Sequence, residues 1–329
     1  MKTPRISQID FVDLYIGEDY CDIKGLAGAS APRVLAPAEL ADQIADLREK
    51  CKEIYRAQEE PEFSLILDGV LLRVTQISDV TNGDVFILRR SPAQIRPFTS
   101  LGLAPHVMKA VLDKDLRGLI LIAGEMGAGK TSTAASLVVQ RLALHGGIAI
   151  AVEDPPETPL NGVHGNGRCI QIRASRKSGG YSEHMTRAMR SGADLMLIGE
   201  IRNDDTAYQA ATSGINGLPI VTTIHAGDPV EAVERLHTYC SSKTPNANNI
   251  IADGLAAVIW QSLEKVPRQG ESGTSARLVS QALILTGPDA DGIRAKIRKG
   301  LISQIRQDVE NQNRLAVWNM QRVLGDAKP

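Results

Sequence analysis

Gly118-Leu119-Ile120-Leu121-Ile122-Ala123 runs directly into Gly124-Glu125-Met126-Gly127-Ala128-Gly129-Lys130-Thr131, and this stretch decides the fold. The six leading residues are a short, apolar run, the pattern of a parallel strand buried on both faces. The next eight satisfy G-x-x-x-x-G-K-[ST], a phosphate-binding loop. From Thr131 to Leu144, Ala135, Leu137, Val138, Leu142 and Leu144 recur with no glycine or proline, which predicts a helix. Strand, glycine-rich loop and helix in that order make a cradle. Backbone N–H groups of Gly124, Gly127, Ala128 and Gly129 curl inward at the phosphates, and the helix N-terminus adds its dipole. Lys130 reaches the β/γ oxygens as a point charge. The Thr131 hydroxyl ligates Mg²⁺, with Ser132 beside it in the first helical turn. The expected ligand is a nucleoside triphosphate, ATP with Mg²⁺.

Composition narrows the alternatives. At 329 residues two domains are expected. Lys and Arg total 37 against 38 Asp and Glu, and aromatics are 4%, so neither a strong basic field nor many stacking platforms serve nucleic acid. The four cysteines, Cys21, Cys51, Cys169 and Cys240, are dispersed without a C-x-x-C pair, which excludes a zinc ribbon and predicts reduced thiols in a cytoplasmic protein. Met1 to Asp10 has no apolar core of a secretory signal, and no run is long enough to span a bilayer.

Two textures divide the chain. Residues 1–95 read as a small α+β domain. One helix is expected between Pro37 and Gln58, with strands at Phe11–Ile16, Ser64–Leu67, Val70–Ile77 and Asp84–Arg89. Turn signals stand at Asp68-Gly69 and Asn82-Gly83, and Ser91 to Ser100, with Pro92 and Pro97, reads as a linker. Residues 96–329 alternate strands and helices, the mark of a doubly wound, mostly parallel α/β sheet. Strands are expected at Gly147–Val152, Asp194–Ile198, Pro219–Ile224 and Ala276–Leu285. Helices are expected at His106–Asp113, Tyr181–Arg190, Asp204–Thr212, Pro229–Thr238 and Asn246–Leu263, with a helical, charged tail. Gly270–Ser275 reads as a surface turn.

Ligands of open α/β sheets sit beyond the carboxyl ends of the strands, and three more polar clusters fall at such ends. Glu153-Asp154-Pro155-Pro156-Glu157 places carboxylates where they can hold Mg²⁺ or orient water. Leu195-Met196-Leu197-Ile198-Gly199-Glu200 resembles a Walker B strand with glutamate in the usual aspartate place, so Glu200 is expected at Mg²⁺ or at the attacking water. His225 ends the strand Val221-Thr222-Thr223-Ile224; a γ-phosphate or water contact there weighs equally with a structural hydrogen bond. Arg187 and Arg190 are spaced i, i+3, which puts them on one helical face, and Arg202 follows Glu200. A guanidinium from this group, delivered across a subunit boundary, would neutralise the transferring phosphoryl; for any one of them an exposed ion-pairing role weighs at least as much.

The order phosphate loop, Glu-Asp-Pro-x-Glu, Leu-Ile-Gly-Glu-x-Arg and Thr-x-His-Ala resembles the type II/type IV secretion traffic ATPases from about Glu62 to Gly300. The resemblance implies a RecA-like ATPase domain behind a smaller, PAS-like N-terminal domain. It implies that Glu153, Asp154 and Glu157 form an aspartate box, Gly199 and Glu200 the Walker B, and His225 a histidine box. Met185-Thr186-Arg187-Ala188-Met189-Arg190 looks like the arginine-bearing helix, while Arg73 and Arg89 fall where the N-terminal domain can contribute to nucleotide contacts. It further implies a homohexamer, peripheral to the inner membrane and working with platform or secretion-channel proteins, with no direct nucleic-acid partner.

Several positions depart from the family pattern. There is no tetracysteine zinc insert, Glu125-Met126 replaces small residues, and Ser191-Gly192-Ala193-Asp194 replaces the more usual Pro-Asp. Asn203 stands where Asp is common, and Asn216-Gly217-Leu218 where the histidine box begins. No key polar residue is lost. The expected function is ATP hydrolysis powering type IV secretion or conjugation, with type IV pilus retraction or assembly as the alternative. A nucleotide-dependent assembly switch and a nucleic-acid motor are the rival classes.

Overall fold

The computed structural model describes residues 5–81, 83–91, 94–174, 180–267, 274–287 and 289–314. The chain forms two compact units: Met1–Ile95 with Asp154–Pro159, and Arg96–Glu153 with Leu160–Pro329. The transfer of 154–159 to the first unit has no counterpart in the sequence reading.

The first unit contains β1 (Asp13–Ile16), β2 (Cys21–Lys24), β3 (Arg33–Leu35), α1 (Ala41–Gln58), β4 (Glu62–Leu67), β5 (Val70–Ser78) and β6 (Asp84–Arg90). Its strands form one antiparallel sheet in the order β3-β2-β1-β6-β5-β4. Alternation along each strand sends Leu14, Ile16, Ile23, Phe63, Leu65, Leu72, Val74, Phe86 and Leu88 to one face, where Leu47 and Cys51 of α1 pack. Asp68 (φ 48°) and Gly69 (φ 83°) make the two-residue β4–β5 turn with both residues left-handed, as the Asp-Gly signal predicts. Asn82 and Pro92 lie outside the described residues. The short β2 and β3 escape the sequence reading because four and three residues are too few to establish a period.

The second unit begins with α2 (Pro105–Val111), β7 (Gly118–Gly124), α3 (Lys130–His145), β8 (Gly147–Glu153), β9 (Gly162–His164) and β10 (Gly167–Arg173). It continues through α4 (Gly180–Met189), β11 (Leu195–Ile198), α5 (Asp204–Ile215), β12 (Pro219–His225), α6 (Pro229–Ser241) and α7 (Ala247–Gly254). It closes with β13 (Leu255–Pro267), β14 (Thr274–Ile284), α8 (Ala290–Arg298) and a helix at 306–314. The sheet order is β14-β13-β7-β12-β11-β8-β10-β9. Pairs from β13 to β10 are parallel, and the edge strands β14 and β9 are antiparallel. Every residue of β7 is buried, as its unbroken apolar run requires.

One long element differs from expectation. The predicted helix over Asn246–Leu263 stops at Gly254, and the chain continues as β13. The first part of β13, residues 255–259, is buried and apolar throughout, so its pattern matches that of a buried helix; Val258-Ile259-Trp260, all strand formers, carry the contrary signal. β9 and β10 likewise have no counterpart in the sequence reading. The expected surface turn Gly270–Ser275 falls mostly outside the described residues, and Thr274 already opens β14. The expected charged tail after residue 314 is also outside them.

Candidate active site

Four adjacent strands, β7, β12, β11 and β8, bring the predicted clusters to one edge of the sheet. β7 delivers the phosphate loop, β12 delivers His225 in register with Gly124, β11 delivers Gly199-Glu200 and β8 delivers Glu153. In the loop Gly127 and Gly129 take φ of 77° and 80°, left-handed conformations that favour glycine. Gly129 caps α3, so Lys130, Thr131 and Ser132 form its first turn and the helix dipole points into the loop.

A polar chain crosses the strand ends. The Lys130 side chain is buried; its Nζ donates to the Glu125 carbonyl at 2.8 Å and lies 3.4 Å from His225 Nδ1. His225 Nε2 is 2.9 Å from Glu200 Oε1, and Arg202 Nε donates to Glu200 Oε2 at 2.5 Å. These partners assign the tautomer: Nε2 carries the proton and donates to Glu200, while Nδ1 accepts from the ammonium. Arg235, which the sequence did not single out, donates from α6 to the His225 carbonyl at 2.9 Å, and Trp260 Nε1 donates to the Ala226 carbonyl at 3.1 Å. The backbone on either side of the Thr-x-His-Ala segment is thereby fixed.

Burial holds the His225 imidazole below its ordinary 6.5, and Lys130, Arg235 and Arg202 push the same way against the opposing pull of Glu200. The folded protein therefore holds the neutral ring. Protonation at Nδ1 would set a second donor against the Lys130 ammonium. Between the depressed value and 6.5 the unfolded chain binds the extra proton, so this contribution to stability is present above 6.5 and is lost as pH falls through the folded value. We expect kcat/KM for ATP to fall on the acid side of pH 6.5 through a titration that disappears in His225→Asn. An acid limb unchanged in that variant would remove His225 from the pH dependence.

Glu153 is buried and accepts from Gln171 Nε2, on β10, at 2.5 Å. Gly199 lies so near it that an added Cβ would sit 3.3 Å from Glu153 Cγ and 3.1 Å from the Tyr181 hydroxyl, so the glycine before Glu200 gives Glu153 its room. Asp154 and Glu157 fall in the other compact unit, where Glu157 pairs with Arg73 at 2.6 Å and Ser64 Oγ donates to the Pro156 carbonyl. Arg89 holds the buried carboxylate of Asp13 with two hydrogen bonds, at 2.8 and 3.2 Å. Both N-terminal arginines that the resemblance assigned to nucleotide thus have carboxylate partners inside their own unit.

Arg187 and Arg190 are not part of the Lys130–His225–Glu200–Arg202 chain. Arg187 is exposed and pairs with Glu183 at 2.9 Å, and Arg190 is exposed just past the end of α4. The donor set suits a triphosphate with Mg²⁺. The loop supplies N–H groups, a lysine and the Thr131 hydroxyl, and Glu200 and Glu153 supply carboxylates; Mg²⁺ takes few protein ligands beside phosphates and water.

The parallel sheet, the glycine loop at a helix N-terminus and the acids at neighbouring strand ends define a P-loop nucleoside triphosphatase fold. The chain belongs to the type II/type IV secretion ATPase superfamily: residues 57–302, well over half of it, match the family described as Type II/IV secretion system protein. The type IV pilus retraction ATPase PilT of Pseudomonas aeruginosa is 25% identical over 270 residues, covering 80% of this chain and 74% of that protein. A twitching motility protein of Neisseria gonorrhoeae is 22% identical over 300 residues, covering 89% and 76%. In fold, the chain superimposes on a crystal structure of the pilus retraction motor PilT with bound ADP (TM-score 0.71, 21% identity, 90% and 84% covered). It also superimposes on the Legionella pneumophila ATPase DotB (TM-score 0.70, 18% identity, 90% and 84% covered).

Proposed function

We propose that this chain hydrolyses ATP to power a type IV secretion or conjugation apparatus, acting as a cytoplasmic homohexamer peripheral to the inner membrane. The observation that carries the enzymatic reading is the hydrogen-bonded chain from Lys130 through His225 to Glu200 and Arg202 at the phosphate-loop edge. Lys130 binds the β/γ-phosphates. Thr131, with Glu200 and Glu153 directly or through water, holds Mg²⁺, which neutralises phosphate charge when bound. Glu200, oriented by neutral His225 and by Arg202, positions the attacking water.

A pilus motor fits as well, since the Pseudomonas relative is named for pilus retraction and the Neisseria relative for twitching motility. The missing zinc insert, the short N-terminal domain and the Thr-x-His-Ala wording lean towards retraction-type and conjugative members alike. Inner-membrane platform or channel proteins are the partners proposed in either case, without direct nucleic-acid binding. Among the described residues no helix is long and apolar enough to cross a membrane.

Assembly is tested by complementation. The exposure of Arg187 and Arg190 leaves them accessible to a neighbouring subunit, and a bound γ-phosphate needs more positive charge than the loop supplies. Once subunit exchange is demonstrated, mixing Arg190→Ala with Lys130→Ala subunits restores part of the turnover, because each supplies what the other lacks; Arg187→Ala is paired in the same way. Mixed rings that recover nothing for either arginine would confine both to roles within their own subunit. Full activity in a strictly monomeric form would contradict the ring.

A further inference from the structure

β13 runs beside β7 with Trp260 opposite Ala123, so Gln261 stands next to Gly124, where the phosphate loop leaves the sheet. Two parts of this residue shape the loop. Its carbonyl oxygen would overlap a Cβ at position 124, which bars any side chain there. Its side chain is fully buried, and Nε2 donates to the Ala128 carbonyl at 2.5 Å. Only the nitrogen of the amide can donate, so this contact fixes which way the amide faces. Oε1 is then left buried with no hydrogen-bond partner in the structure.

An amide with half its hydrogen-bonding capacity unmet is a poor choice for filling a core, because a thioether or alkyl chain fills the same space without the desolvation. The donor half has a use that such a side chain lacks. In a planar trans peptide the C=O and N–H point in opposite directions. Held by Gln261 on the β13 side, the Ala128 carbonyl turns the Gly129 N–H away from that strand. Gly129 is the left-handed cap of α3, where the absence of a Cβ would otherwise let this peptide rotate.

We propose that Gln261 is a positioning residue of the nucleotide site, presetting the Gly129 N–H as a phosphate donor through its hydrogen bond to the Ala128 carbonyl. The inference rests on the nucleotide-binding reading of the loop. A preset donor costs no reorganisation when the phosphate arrives, so its loss weakens ground state and transition state together and separates KM from kcat.

The test is calorimetric titration of ADP and steady-state ATP turnover in Gln261→Met and Gln261→Asn, with thermal unfolding alongside. Met keeps the length and loses the donor; Asn keeps the amide and cannot reach. The expected result for both is a Kd for ADP and a KM for ATP raised roughly tenfold, the scale of one hydrogen bond to a charged group, with kcat held within about twofold. Folded Gln261→Met that binds ADP like the wild type overturns the proposal, whatever its melting temperature. If Met does not fold, Asn decides by the same criterion, and failure of both to fold makes Gln261 a packing residue and ends the inference. Wild-type protein that binds no ADP would instead sink the nucleotide reading itself.

Discussion

Lys130→Ala abolishes ATP turnover in a protein that stays folded. The ammonium is the main side-chain counter-ion expected at the β/γ-phosphates, and losing a donor aimed at developing charge costs roughly 10²–10³ in rate on its own. The same ammonium also helps to depress the His225 pKa. Its removal therefore lets the imidazole titrate nearer its ordinary value, and two parts of the site fail together. Phosphate release and circular dichroism of purified Lys130→Ala check the expectation. Wild-type turnover in the folded Lys130→Ala protein would remove the loop from the chemistry.

Glu200→Gln separates chemistry from binding. The carboxylate accepts from His225 on one oxygen and from Arg202 on the other, and glutamine can reproduce only one acceptor while losing the charge. ATP affinity should hold within several-fold, because the loop and Lys130 are untouched. Turnover should fall by roughly 10²-fold or more, the scale of a lost catalytic acid or base. Glu153→Gln provides the contrast. Glu153 is more deeply buried and tied to Gln171, a setting for organising the metal side of the site rather than for positioning the attacking water. Normal turnover in Glu200→Gln beside a dead Glu153→Gln would reverse the two roles.

Much of this is legible in the chain because the decisive signals are local. An apolar run, a glycine loop and a helix N-terminus must be contiguous to bind phosphate, so 118–144 declares itself. Glu153, Glu200 and His225 stand out because each ends an apolar strand, and the parallel sheet aligns such ends on one edge. What escapes is contact between distant segments. Gln171, Arg235 and Gln261 reach the site from β10, α6 and β13, and nothing in their immediate sequence points there. Gln261 is further hidden by the apolar stretch that reads equally as helix or strand. For Arg73, Arg89 and Arg187 the sequence leaves phosphate contact and ion pairing both open, and within this chain each pairs with a carboxylate that its position in the sequence does not point to.

Hydrolysis of ATP at this edge of the sheet, rather than mere retention of it, is the central claim. Phosphate release by the wild-type protein with ATP and Mg²⁺, run beside Glu200→Gln with bound nucleotide measured in the same samples, tests it most directly. The prediction is sustained multiple turnover in the wild type, and in Glu200→Gln a protein that fills with ATP and scarcely releases phosphate. A wild-type protein that binds ATP yet releases no more phosphate than Glu200→Gln would contradict it and leave an assembly switch in place of a motor.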